Sequence, residues 1–174
     1  VRELKLRHGC AKRVDLDLLE ARCLVMIGES RAAYDRYLEL SHRADGNAAV
    51  WIEFGTLALE MNDYRRAGEA GRRAIGLVPT RYEGYLLKGV YEQHSGRHEV
   101  AIELFREATR RSSEDVLPML MLGSALSRQG RDPEALAAYH EALQVDPGDA
   151  DARRLYEATE ERIQLAAVGT EGAE

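Results

Sequence analysis

The sequence predicts an all-α protein built from a row of helix pairs, and three observations carry that prediction. The first is self-similarity at a period of 34 residues, held over four copies. The second is the recurrence of apolar residues at helical spacing, as in Ile52, Leu59, Leu86, Val90 and Leu120. The third is that no run of β-branched residues alternates as a strand would.

The period is read directly. Trp51, Gly55, Tyr64, Ala67, Ala74 and Pro79 shift forward to Tyr85, Gly89, His98, Ala101, Ala108 and Ser113. A second shift gives Met119, Gly123, Asp132, Ala135, Ala142 and Pro147, and a backward shift gives Asp17, Ala21, Ser30, Ala33, Leu40 and Asp45. Small residues hold two columns, Ala21/Gly55/Gly89/Gly123 and Ala33/Ala67/Ala101/Ala135, where two helices approach closely. A large residue recurs at Tyr37, Phe105 and Tyr139, and Gly71 breaks that column.

The elements follow in order. Gly28, Asn62, Gly96 and Gly130 end the first helix of each unit, because Gly and Asn accept the left-handed conformation cheaply. Second helices start a few residues later, with Ser30, Asp63 and Asp132 as caps and Pro133 at a first helical position. First helices start after Asn47 and Thr80, where Thr80 and Glu83 have capping-box spacing. The units are 14–47, 48–81, 82–115 and 116–149. Residues 150–165 read as a further, Asp151-capped helix whose polar outer face closes the row. Residues 166–174 lack periodicity and are expected to be a disordered tail. Residues 1–13 are a basic lead-in that suits the end of an upstream helix. The chain opens on Val1 instead of Met, which points to a fragment or a processed start.

Lys88 and Glu92 depart from the pattern, since their columns are apolar in Phe54 and Leu122, and in Leu24, Ala58 and Leu126. Four residues apart on one helix, they are expected to pair at a partly exposed, loosened packing site, the alternative being a buried polar link.

These residues resemble the tetratricopeptide repeat family, whose unit is a 34-residue helix–turn–helix. The match is fullest over Trp51, Gly55, Tyr64, Ala67, Ala74 and Pro79, and over Leu122, Gly123, Ala135, Tyr139, Ala142 and Pro147. It is weakest in the first copy, where Asp17 and Glu20 stand in apolar columns. The resemblance implies an α-solenoid of four repeats with a capping helix. It also implies a concave face, lined by the first helices, that holds a protein segment.

Carried onto this sequence, that face comprises Leu18, Arg22, Val25 and Met26; Ala49, Ile52, Thr56, Leu59 and Glu60; Glu83, Leu86, Val90, Gln93 and His94; and Leu117, Leu120, Ser124, Ser127 and Arg128. Val25, Ile52, Leu59, Leu86, Val90 and Leu120 are expected to form an exposed apolar strip edged by Arg22, Glu60, His94 and Arg128, suited to an amphipathic helix or apolar peptide. The Lys and Asn clamp with which some members hold the carboxylate tail of heat-shock chaperones is missing: its positions carry Leu18, Arg22, Glu53, Glu83 and Leu87.

Composition narrows the field. With 45% hydrophobic residues the chain is too apolar for disorder, and its longest uncharged run, Val116 to Ser127, is too short for a membrane span. A net charge of −6 argues against nucleic acid as a partner. Cys10 and Cys23 form no disulfide framework and lack zinc spacing, and Cys23 reads as a small core residue. His94 and His98 flank Gly96 and so fall on two helices, with His98 in a packing column.

No phosphate loop, dinucleotide fingerprint or His-Glu-x-x-His is present. The expectation is a non-enzymatic scaffold or adaptor with no metal and no cofactor, bound to a protein or peptide. A regulatory or targeting segment of a larger enzyme and a self-associating structural protein, joined through the groove or the ends, are the alternatives. Arginine outnumbers lysine heavily, a skew associated with GC-rich bacterial genomes, and no signal peptide is visible. A cytoplasmic site is expected, with the periplasm left open by the start at Val1.

Overall fold

A computed structural model describes residues 2–112 and 114–171, with side chains from residue 13 to 168 except 113. Helices follow one another throughout, with no strand among the described residues: α1 (Arg2–Met26), α2 (Ser30–Arg43), α3 (Ala48–Glu60), α4 (Tyr64–Leu77), α5 (Tyr82–His94), α6 (His98–Arg111), α7 (Val116–Arg128), α8 (Asp132–Val145) and α9 (Ala150–Glu171). Each helix packs on the next, and α3, α5, α7 and α9 also touch in series. Among the described residues no comparable contact joins α2, α4, α6 and α8 to one another. The row therefore curves with its first helices on the inner side.

One turn is built four times. Gly28, Asn62, Gly96 and Gly130 have φ of +82°, +61°, +78° and +70°. Beyond them the amides of Glu29, Asp63, Arg97 and Arg131 donate to the carbonyls of Leu24, Ala58, Glu92 and Leu126 at 2.9, 2.7, 2.9 and 3.1 Å. This six-to-one closure satisfies carbonyls that the helix end leaves open, so it fixes the angle at which the next helix departs.

The caps follow the expected chemistry at only some positions. Asn47 accepts from the Ala49 amide and Asp63 from the Arg66 amide, at 3.0 and 3.1 Å. Asp115 and Asp149 cap α7 and α9, so α9 is capped by Asp149 and not by Asp151. Ser30, Thr80 and Asp132 do not cap: the N-cap positions are Glu29, Arg81 and Arg131, without side-chain bonds. Asp132 lies inside the first turn of α8, where its carboxylate is turned to Ser127 and Arg162. α9 continues to Glu171, past the end expected at 165, because Ala166 and Ala167 favour helix. Val1 and residues 172–174 lie outside the described residues. The basic lead-in and the first helix of the first unit are one continuous helix, α1.

The core rests on rings seated over small residues. A Cβ on Gly89 would collide with Phe105, and one on Gly123 with Tyr139; both rings are fully buried. Gly71 breaks that column, and the structure compensates. Leu87 from the next unit reaches over Gly55, 2.6 Å from where a Cβ would stand. The backbone of α5 meets α4 directly, with Gly84 O and Lys88 N at 2.6 and 2.7 Å from a Cβ built on Gly71.

Three expectations are corrected. Cys23 is exposed, as are Met26 at 85% and Ile27 at 71%. Here α1 turns Leu18, Ala21 and Leu24 toward the core, and no described residue covers its other side. His98 is exposed instead of packed. Glu92 is buried at 8% exposure and pairs with Arg97 across the turn, not with Lys88.

Gly71→Phe restores the repeat pattern yet should destabilise the protein by about 3 kcal/mol or more, because the obstacle is backbone and cannot rotate away. Gly89→Ala, opposed by a side chain, should cost less. Urea unfolding of the two variants checks the order.

Candidate protein-binding face

The inner faces of α1, α3, α5 and α7 hold two adjoining cavities. The first, about 310 Å³, is lined by Arg22, Val25, Met26, Tyr37, Glu53, Thr56, Leu57 and Glu60. The second, about 240 Å³, is lined by Thr56, Leu59, Tyr82, Glu83, Leu86, Leu87, Val90, Leu117 and Met121. Thr56 borders both.

Helical spacing places these side chains: Arg22, Val25 and Met26 lie on one face of α1, and Leu86 and Val90 on one face of α5. Thr56 donates to the Ile52 carbonyl at 3.0 Å, which ties its hydroxyl to its own helix.

Arg22 and Glu53 in the first cavity are matched to each other, while no ion pair reaches Glu60 among the described residues. Arg22 Nε donates to Glu53 Oε2 at 2.8 Å, and its second nitrogen reaches Oε1. The Tyr37 hydroxyl donates to Glu53 Oε2 at 2.9 Å. Hydrogen bonding to Glu53, reinforced by its charge, raises the Arg22 guanidinium above its ordinary value. Burial, then the bond to Glu53, pushes the Tyr37 hydroxyl far above the usual tyrosine range. Beside the second cavity Tyr82 donates to Asp115, and burial followed by that bond pushes its hydroxyl up to about 12. None of these tyrosines titrates near neutral pH.

The expected strip is less open than its pattern suggests. Ile52 and Leu86 are buried, at 7% and 8% exposure, and Leu18 is buried in the core at 7%. Leu59, Val90 and Leu120 are partly buried, and of the six strip residues Val25 alone is classed as exposed, at 37%. Ile52 lines neither cavity because it faces the core shared by α1 to α4. Leu120 packs against the core of the last units.

Two of the fourth unit's polar positions are spent internally. Ser124 accepts from the Tyr139 hydroxyl at 3.3 Å. Ser127 donates to Asp132 Oδ1 at 3.2 Å and accepts from Arg162 Nη2 of α9 at 2.6 Å. Gln93 is partly buried and Arg128 exposed. The exposed His94 stacks on Tyr64, ring centroids 3.8 Å apart and planes 15° from parallel. Met121, Leu57, Tyr37 and Tyr82 line the cavities although the groove columns omit them. Tyr37 comes from a second helix and reaches the cavity by its hydrogen bond to Glu53, which column spacing does not announce.

Helix pairs stacked in a curved row, with cavities on the inner side, define a helical-repeat solenoid. Profiles of the tetratricopeptide repeat match residues 52–116 and 93–158. The chain belongs to the tetratricopeptide repeat family.

The small glutamine-rich tetratricopeptide repeat-containing protein 2 of Mycosarcoma maydis is 28% identical over 109 residues, 63% of this chain and 31% of that protein. Human tetratricopeptide repeat protein 7A is 28% identical over 55% of this chain and 11% of its own length. The chain thus spans a third or less of these curated relatives. Among solved structures, MamA superposes with a TM-score of 0.76 at 16% identity, covering 92% of this chain and 88% of MamA. YrrB, described as a tetratricopeptide repeat protein with an unusual peptide-binding site, gives 0.65 at 18% identity, covering 85% and 76%. Both show the same fold. No described helix is long and apolar enough to cross a membrane.

Arg162 links α9 to α8 through Asp132, at 2.6 Å, and holds that carboxyl below its ordinary value. The contribution is complete above the unfolded carboxyl value of about 3.9 and is lost as pH falls through the lower folded value. Asp132→Asn should therefore lower stability at neutral pH by no more than about 1 kcal/mol. The gap between variant and parent should close in acid. Thermal melts at a series of pH values check it.

Proposed function

We propose that this chain is a non-catalytic interaction module that holds an amphipathic helix or apolar segment of a partner protein on its inner face, in the manner of a scaffold or adaptor. The observation that carries the reading is the pair of neighbouring cavities that share Thr56. Their walls are largely aliphatic and aromatic, Arg22 and Glu53 pair with each other and Glu83 with Arg81, and Glu60 is the charge left over among the described residues. Such walls reward apolar side chains at about 25 cal/mol per Å² buried, before the cost of ordering the partner. Arg22, Glu60 and Glu83 at the rims set register and direction more than affinity. The description of YrrB as peptide-binding supports this use of the fold.

The variants that test it avoid Ile52 and Leu86, whose burial would turn a charge there into an unfolding mutation. Val25→Glu with Leu117→Glu places one charge at each cavity, at residues that are exposed. Retention of a partner from native lysate should fall about tenfold or more, with circular dichroism and melting close to the parent. Undiminished retention would sink the assignment.

A further inference from the structure

A third cleft lies on the opposite side of α5, about 390 Å³ in volume, between α4 and α5. It occurs where this repeat array departs from itself. Between the first and second units the interface is filled by Tyr34 against Phe54, ring centroids 5.2 Å apart. Between the third and fourth it is filled by Ile102 and Leu122, both buried. Between the second and third the same columns hold Gly68 and Lys88. Tyr91 leans over Gly68, where a Cβ would strike its ring, and the rest of the space stays open. Glu92 replaces a third apolar residue and is buried. Polar groups at such positions reduce stability unless a partner satisfies them.

The charges there are unequal. Glu69 is held by Arg66 at 3.5 Å, and Glu92 by Arg97, which also lies 5.4 Å above the Tyr91 ring. Arg65, Arg72 and Lys88 line the same cleft, and no ion pair forms to any of them among the described residues. The acids are neutralised by arginines outside the lining, so three cations are left to face the space. Arg65 and Arg72 are seven residues apart, about 10 Å along α4. That separation exceeds the span of one carboxylate and suits charges spread along a chain.

We propose that this cleft is a second binding site that takes an acidic peptide segment, its carboxylates meeting Arg65, Arg72 and Lys88. The site is separate from the inner face: Leu86 and Val90 point one way from α5, Lys88 and Glu92 the other. One array thereby holds two segments of different chemistry.

The probe is a fluorescein-labelled decapeptide of alternating Gly and Glu, with its Gln counterpart as the neutral control, titrated by anisotropy at about 0.15 M salt. Saturable binding of the Glu peptide alone is expected. Arg65→Gln with Arg72→Gln and Lys88→Gln should weaken it about tenfold or more. Arg31→Gln with Arg110→Gln and Arg154→Gln removes the same charge from exposed positions elsewhere and should change it less than about twofold. Lys88→Met keeps the aliphatic stem, so it should bind more weakly while melting at or above the parent temperature. Equal losses in the two triple variants would reduce the cleft to bulk charge and overturn the proposal. So would the absence of saturable binding, or tighter binding of inorganic phosphate than of peptide at the same residues.

Discussion

Everything in this array depends on how closely one helix can lie against the next. Phe105 over Gly89 and Tyr139 over Gly123 set that distance in the third and fourth units. A side chain at either glycine would strike the ring and force apart the two helices of that unit. Dense packing turns a single missing Cβ into a constraint on the whole unit. The second unit shows the same constraint met differently. Without an aromatic at Gly71, the α5 backbone moves in and Leu87 takes the space above Gly55. The inner-face cavity beside Leu87 is shaped in part by that substitution.

Most of the fold was legible from residues alone, because it is written in local chemistry. The αL positions Gly28, Asn62, Gly96 and Gly130 mark the turns without reference to anything distant. The small and bulky columns mark which helix faces meet. What escaped was whatever depends on the neighbour's neighbour. Periodicity says that Cys23 to Ile27 is apolar but not whether anything covers it. It says that Ile52 and Leu86 lie near the inner side but not that adjacent helices close over them.

Charge pairing was hidden for a related reason. Lys88 is one turn from Glu92 in sequence, yet Arg97 reaches that carboxylate across the helix end. A long guanidinium beyond a turn competes with a same-helix partner, and spacing rules do not weigh that competition. The candidate faces were therefore legible as sets of columns, while their open volume was not. The polar cleft was visible as an irregularity at Lys88 and Glu92, but only three-dimensional placement joins it to Arg65 and Arg72 of the preceding helix.

The irregular middle has a mechanical meaning as well. The apolar core is in two main pieces, one gathered from α1 to α4 and one centred on α5 to α8. Between them the chief apolar bridges are Leu87 over Gly55 and Ile75 against the second piece. A row of units is held by nearest-neighbour contacts, so what joins one unit to the next decides how far the row behaves as one body. Yet α4 and α5 approach more closely than any other two successive helices, so the junction between residues 77 and 82 is held by backbone proximity at Gly71 and Gly84 where the other junctions rely on interlocked apolar side chains.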